Sequence, residues 1–339
     1  MKTTLTLLVL FALTIYALQP FSQTNYERPA RTVGFIEKLD DELDQVLDVQ
    51  AVPEIIGEGY QWSEGPVWVD NHQFLLFSDV PSNKVHKWTR EDGMSVYLEP
   101  SGYTGNSGRG GEMGSNGLII DHEGSLIISQ HGNRAIARMN APLNQPSESY
   151  TLLADNHQGN KLNSPNDVVQ HSNGDLYFTD PPYGLENGAD DPLKELDYHG
   201  VYRVNTDGDV ILLTDELSRP NGLAFSQDEK TLYVANSDPD RAIWMAYDVA
   251  DDGSITNGRI FHDATGNLST DQGLPDGLKV NSDGYLFATG PGGVWIFAPD
   301  ARVLGKIRAD GELVSNCALG NEENMLYMTA DSYVLSLAL

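Results

Sequence analysis

Six residues recur at one position of a repeating pattern along the chain: Glu64, Asn116, Asn166, Asn221, Asp276 and Asn316. Each carries a side-chain oxygen, and none is a histidine or cysteine. Such a set is a hard-donor environment, suited to a cation that takes carboxylate, amide and water oxygens. Glu64 and Asp276 supply two negative charges, which balance one divalent cation, whereas two neighbouring carboxylates without a cation repel. Calcium accepts roughly six to eight oxygens at about 2.3–2.6 Å, magnesium demands a stricter octahedron, and zinc favours nitrogen or sulfur. The expected cofactor is one divalent cation, Ca2+, with Zn2+ and Mn2+ as alternatives. A competing reading takes each Asn-Gly or Asp-Gly as an ordinary turn that opens a strand. It accounts for Asn116-Gly117, Asn221-Gly222 and Asp276-Gly277, but not for Glu64-Gly65-Pro66 or Pro165-Asn166-Asp167.

These positions converge only if the elements behind them repeat in space. Each opens a segment of one form: a small residue, an apolar run, a polar turn and a second apolar run. The segments run from Glu64 to Asp79, Asn116 to Gln130, Asn166 to Asp180, Asn221 to Asn236, Asp276 to Gly290 and Asn316 to Ala330. Turn signals such as Ser172-Asn173-Gly174-Asp175 and Ser282-Asp283-Gly284 separate the paired runs. A third run follows each pair, as in Val85–Trp88 and Val294–Phe297, and a fourth is visible in several, as in Tyr150–Leu153. Starts at 64, 116, 166, 221, 276 and 316 give a period of 40 to 55 residues. Four-stranded units at that period are the signature of propeller blades, so the expected fold is an all-β six-bladed propeller with four-stranded blades. Its first strands line the axis, and the six oxygen-bearing side chains form a ring there. A strand near Val52 to Ile56 is expected to complete the last blade and protect its edge.

Composition bounds the rest. The chain has 339 residues, 33 of them glycine, with 49 Asp and Glu against 21 Lys and Arg. That balance repels a phosphate backbone and argues against a nucleic-acid partner. Lys2 followed by the apolar run Leu5–Leu18 reads as an export signal, shorter than the ~20 residues of a membrane span. The expected organisation is residues 1–23 as signal peptide or N-terminal anchor, 24–50 as an extension, and 51–339 as the propeller. Ile36, Leu39, Leu43 and Leu47 give the extension near-helical spacing. The expected location is the periplasm or the extracellular medium. With one cysteine, Cys317, no intrachain disulfide forms.

The segments Trp62-Ser-Glu-Gly-Pro-Val-Trp68, Ser164-Pro-Asn-Asp167, Arg219-Pro-Asn-Gly-Leu-Ala-Phe-Ser226 and Leu274-Pro-Asp-Gly-Leu278 resemble the senescence-marker-protein/gluconolactonase family. Diisopropylfluorophosphatase and paraoxonase are more distant relatives. The stretch Leu162 to Gly184 is similar to bacterial gluconolactonases in particular. The resemblance covers roughly residues 50 to 339 and implies a lactonase acting on a small sugar lactone such as gluconolactone. It implies Glu64, Asn166, Asn221 and Asp276 as metal ligands, leaving Asn116 to face substrate and Asn316 outside the ligand set. It also implies that Asp167 supports the metal site or a second calcium. Ser164 departs from the animal lactonases, which carry a substrate-holding arginine at that place.

A metal-assisted ester hydrolysis follows, with carbonyl polarisation and water activation by the cation. Asp276 is the expected general base, or a direct nucleophile. His131 is a candidate proton shuttle, equally readable as a polar loop histidine. Asp180 and Tyr183 are expected at the channel mouth, unless Pro181-Pro182 makes a rigid turn there. The stretch Ser101–Gly114 contains six glycines and lacks the ending of a phosphate-binding loop; it reads as a lid in which Arg109 meets the carboxylate of a sugar acid, or equally as a solvated loop with no role. The tryptophans Trp62, Trp68, Trp88, Trp244 and Trp295 read as packing residues. Two other functions fit the same residues: a phosphotriesterase-type hydrolase on the same ring, and a non-enzymatic, calcium-stabilised binding propeller.

Overall fold

The structure, a computed structural model, describes residues 30–339. The expected export signal lies outside the described residues. From Arg31 to Leu339 the chain forms one compact unit.

All six pairs of apolar runs are antiparallel strand pairs. The first strands are Ser63–Val69, Ser115–Ile120, Val168–Gln170, Pro220–Phe225, Leu278–Val280 and Val314–Gly320, each paired with the strand that follows it. Successive first strands touch one another and the sixth touches the first, so the blades close into a ring. Closure uses the N-terminal side of the domain: Glu54–Glu58 pairs with Tyr333–Ala338 as the outer strand of blade six, with Ile55 opposite Leu335.

The extension departs from its helical spacing. Phe35–Lys38 is a strand that pairs with Val303–Arg308, giving blade five a fifth strand, and only Asp41–Gln45 makes a short 3-10 turn. Leu43 and Leu47 are buried between blades five and six, whereas Leu39 is 54% exposed. The open edge of the outer strand competed for this segment and won, because pairing satisfies a row of otherwise unpaired backbone groups.

The apolar core is six clusters lying between successive blades. Leu76 and Ile128 meet between blades one and two, and Phe77 and Val334 between blades one and six. Trp244, Trp295 and Phe297 pack between blades four and five. Blades are therefore held to one another mainly by burial of the inner three strands.

Near the axis hydroxyl groups replace apolar contacts. Ser78 Oγ donates to the Asn116 carbonyl at 2.8 Å and Thr179 Oγ1 to the Asn221 carbonyl at 2.7 Å, each reaching into the next blade. Thr289 Oγ1 and Ser315 Oγ do the same toward Ser315 and Ser63. The first strands approach so closely that side chains do not fit between them. A Cβ on Gly222 would stand 2.3 Å from the Asp276 carbonyl oxygen, and one on Gly117 would stand 2.8 Å from that of Asn166. Neither glycine is needed for a left-handed turn, which disposes of the turn reading of Asn116-Gly117 and Asn221-Gly222.

Gly222→Ala is expected to lower stability by about 1–3 kcal/mol, the cost of overpacking against backbone. Gly266→Ala, where the added Cβ meets nothing within 4 Å, is the control and should stay within about 0.5 kcal/mol of wild type. Urea midpoints measure both; equal midpoints for the two variants would refute the close-approach account.

Candidate functional site

Each ring residue sits where its first strand is irregular. The pairing register slips between Glu64 and Val67, Ser115 and Leu118, Pro220 and Leu223, and Val314 and Asn316. In blades three and five the ladder begins only after the ring position, at Val168 and Leu278. A bulge breaks strict alternation and re-aims a side chain. Four ring side chains are turned toward the axis at such slips, and Asn166 and Asp276 just ahead of their ladders.

Glu64, Asn116, Asn166, Asn221 and Asp276 line one cavity of about 340 Å3, together with Trp62, Glu112, Tyr183, Arg219 and Ser237. Asn316 belongs to the ring but not to that wall. Its Nδ2 donates to Glu64 Oε2 at 3.2 Å and its Oδ1 accepts from Cys317 N, so both side-chain atoms are committed. Asn221 is oriented by Nδ2 donating to Ser237 Oγ at 2.8 Å, which leaves Oδ1 buried without a partner. Asn116 Oδ1 and Asp276 Oδ1 are likewise buried and unpartnered. Glu64 Oε2 accepts from Gly65 N at 2.7 Å. Buried acceptors left without donors are costly, and several at one place suit a shared cation. Among the described residues no three His, Cys, Asp or Glu side chains form a metal cluster by themselves, so amide oxygens are indispensable to this donor set.

The electrostatics agree. Burial pushes the Glu64 carboxyl up to about 8, with the Asp167 and Glu112 charges adding to it and the Gly65 and Asn316 donors opposing. Asp276 is raised well above the usual carboxylate range by burial and then by Glu64, Asp167 and Glu112. Asp167 lies next to the ring, with Oδ1 accepting from Val168 N, Oδ2 unpartnered and Lys279 Nζ at 4.0 Å.

Other expected site residues fall elsewhere. Tyr183 lines the cavity with its hydroxyl unpartnered and its pKa raised by burial. Asp180 does not reach the cavity wall: its carboxylate accepts from Asn163 N and Ser164 N at 2.8 and 2.7 Å and shapes the loop leading to Asn166. Its repeat counterparts Asp79 and Asn236 hold the Trp62 and Arg219 amides in the same way, so the repeat itself carried the signal that Asp180 is a loop clamp. Arg109 also departs from expectation. Its guanidinium donates to the Gly132 carbonyl at 2.6 Å and to the Gly184 carbonyl, tying the glycine-rich loop to the neighbouring loops. That loop instead brings Glu112 to the cavity. His131 is fully buried behind it, Nδ1 standing 3.3 Å from Glu112 Oε2 without the geometry of a directed hydrogen bond. Trp62 lines the cavity rather than packing in a core, and Arg219 is exposed at the same wall.

The buried carboxyls set a pH dependence. In protein treated with chelator, Glu64 and Asp276 hold protons in the folded state at pH values where the unfolded chain has lost them. Stability therefore falls as pH rises from about 4.5 toward about 8. Urea denaturation at pH 5 and pH 8 should give the lower midpoint at pH 8, and added calcium should remove the difference. A higher midpoint at pH 8 in the chelated protein would contradict the burial of these charges.

Residues 62–332 match the family described as the SMP-30/Gluconolactonase/LRE-like region. A gluconolactonase of Zymomonas mobilis is 42% identical over 313 residues, covering 90% of this chain and 86% of that protein. The solved structure of a gluconolactonase from Xanthomonas campestris superposes with a TM-score of 0.77 at 31% identity, covering 92% of this chain and 99% of the other. A calcium-binding regucalcin of Agrobacterium tumefaciens, at 17% identity and a TM-score of 0.65, covers 84% of this chain and 92% of its own and shows the fold alone. By the family match along nearly all of the propeller, this chain belongs to the SMP-30/gluconolactonase family.

Proposed function

We propose that the protein is a divalent-cation-dependent lactonase acting on a sugar lactone. The observation that carries this reading is the set of unpartnered oxygens of Asn221 and Asp276 on one cavity wall with Glu64 and Asn166. Its similarity to gluconolactonases supports the lactone as substrate. Glu64, Asn166, Asn221 and Asp276 would hold the cation, calcium by the all-oxygen character of the donors. When bound, the cation supplies Lewis-acid polarisation of the ester carbonyl and a more acidic water.

The chain's own groups do the rest. The Asp276 carboxylate takes a proton from the attacking water as the new carbon–oxygen bond forms. The ring carbon–oxygen bond then breaks and the leaving alkoxide takes that proton, giving a hydroxyl and a carboxylic acid, which loses its remaining proton to solvent. Tyr183, neutral at working pH, offers its hydroxyl as a hydrogen-bond donor within the cavity. Asn116 faces the same space and orients the substrate through its free carbonyl oxygen. The apolar run Leu5–Leu18 supports a periplasmic or extracellular setting for this activity.

Hydrolysis of glucono-1,5-lactone, read against the uncatalysed rate, tests the proposal. Activity is expected to disappear on chelation and return with calcium, with zinc and manganese as comparators. Inactivity with every cation, while calcium still raises the melting temperature, would leave a binding propeller instead. Asp276→Ala should lower kcat by about 10²–10⁴-fold while retaining cooperative unfolding; near-normal turnover in that variant would remove Asp276 from the base role.

A further inference from the structure

The residue two places ahead of each ring position is a second repeat position, occupied by Trp62, Gly114, Ser164, Arg219, Leu274 and Val314. Four of these, Trp62, Arg219, Leu274 and Val314, line the cavity. Blades five, six and one thus present a contiguous apolar arc, and blade four, opposite blade one in a ring of six, presents a cation. Blades two and three carry small residues there. Loops fill that side: Glu112 stands two residues ahead of Gly114, and Tyr183 precedes Gly184, whose amide donates to Ser164 Oγ at 2.9 Å.

Arg219 differs from the arginines that tie the fold together, and unlike Arg90, whose guanidinium is also unpaired among the described residues, it stands at the axial cavity. Arg109 and Arg134 donate to backbone carbonyls, and Arg302 and Arg308 pair with carboxylates. Among the described residues the Arg219 guanidinium has neither kind of partner; only its backbone is engaged, the N–H donating to Asn236 Oδ1 and the carbonyl accepting from Ser237 N, both at 2.9 Å. In a chain with 49 Asp and Glu against 21 Lys and Arg, surface pairing does not account for that placement. Charge at the wall points the same way. Glu64 and Asp276 match a divalent cation, which leaves one acid, Glu112, and one base, Arg219. The remaining wall is neutral overall but offers a strong acceptor and a forked donor. A ligand that uses both is uncharged and carries groups that donate and accept, which describes hydroxyls. The arc of Trp62, Leu274 and Val314 suits the C–H face of a ring.

We propose that Arg219 is a specificity-determining residue: its guanidinium donates to the ring hydroxyls of an uncharged, polyhydroxylated lactone, from which Glu112 accepts. The assignment rests on the lactonase reading and names the substrate class that the site selects.

Steady-state kinetics with saturating calcium on three substrates test it: D-glucono-1,5-lactone, δ-valerolactone, which lacks the ring hydroxyls, and D-glucaro-1,4-lactone, which adds a carboxylate. Arg219→Leu should raise KM for gluconolactone by about tenfold to a hundredfold, the effect of a lost charged hydrogen bond, with kcat altered far less. The loss on δ-valerolactone should be at least about tenfold smaller, and Arg219→Lys should recover part of the KM, keeping the charge without the fork. Equal losses on gluconolactone and δ-valerolactone, or none on either, overturn the assignment. A greater loss on the carboxylate-bearing lactone also overturns it, making Arg219 an anion site. Wild-type inactivity on all three overturns the lactonase reading and the assignment with it, and is distinguishable because it appears before any variant is made.

Discussion

The close approach of six first strands at the axis is the constraint on which the molecule depends. Glycines at 65, 117 and 222 leave no room for a Cβ beside the backbone of the next blade, and Gly277 leaves none beside the Asn316 side chain. Register slips at Gly65, Gly117 and Gly222 turn the preceding side chain inward. Apolar residues in that position would make a dry plug. Polar residues instead concentrate buried acceptors at one point, raising the energy of Glu64 and Asp276 as anions until something positive compensates them. The site is thus a local instability held by a framework that is stable elsewhere.

That framework is distributed. Six interblade clusters share the apolar burial, and the ring closes only when Glu54–Glu58 pairs with the C-terminal strand. A loop inserted between blades can therefore vary without disturbing the axis. The glycine-rich segment 101–114 is anchored at its base by Asn83, whose Oδ1 accepts from three successive amides, and farther along it carries Glu112 into the cavity. Strand-borne residues give the site precision, while loop-borne Glu112 and Tyr183 shape what fits above the ring.

Reading by repeat position was most effective where one residue type recurs for one reason. The ring residues were legible because an oxygen-bearing side chain recurs at one position in all six repeats, and Glu64 and Asn166 broke the competing turn explanation. Asp180 was expected at the channel mouth, with a rigid Pro181-Pro182 turn as the alternative, although Asp79 and Asn236 mark the same loop clamp in other blades. Arg109 was misplaced because a cation in a flexible-looking loop has no periodic partner, so only its carbonyl contacts locate it. The helical spacing of Ile36 to Leu47 was real but outweighed by an open strand edge that appears only after folding.

Period, turn chemistry and the oxygen-bearing repeat position are properties of the chain itself. They determined a six-bladed propeller, its closing strand and an axial set of hard donors, because alternation and turn geometry act over a few residues. Which donors face the cavity was decided by tertiary structure. Asn316 and Asn221 are the same residue type at the same repeat position, yet one has both side-chain atoms bonded within the ring and the other keeps an oxygen free. The difference lies in their partners, Glu64 and Ser237, which come from other parts of the chain. Availability of a buried polar atom depends on what packs against it, and that is settled only when the blades meet.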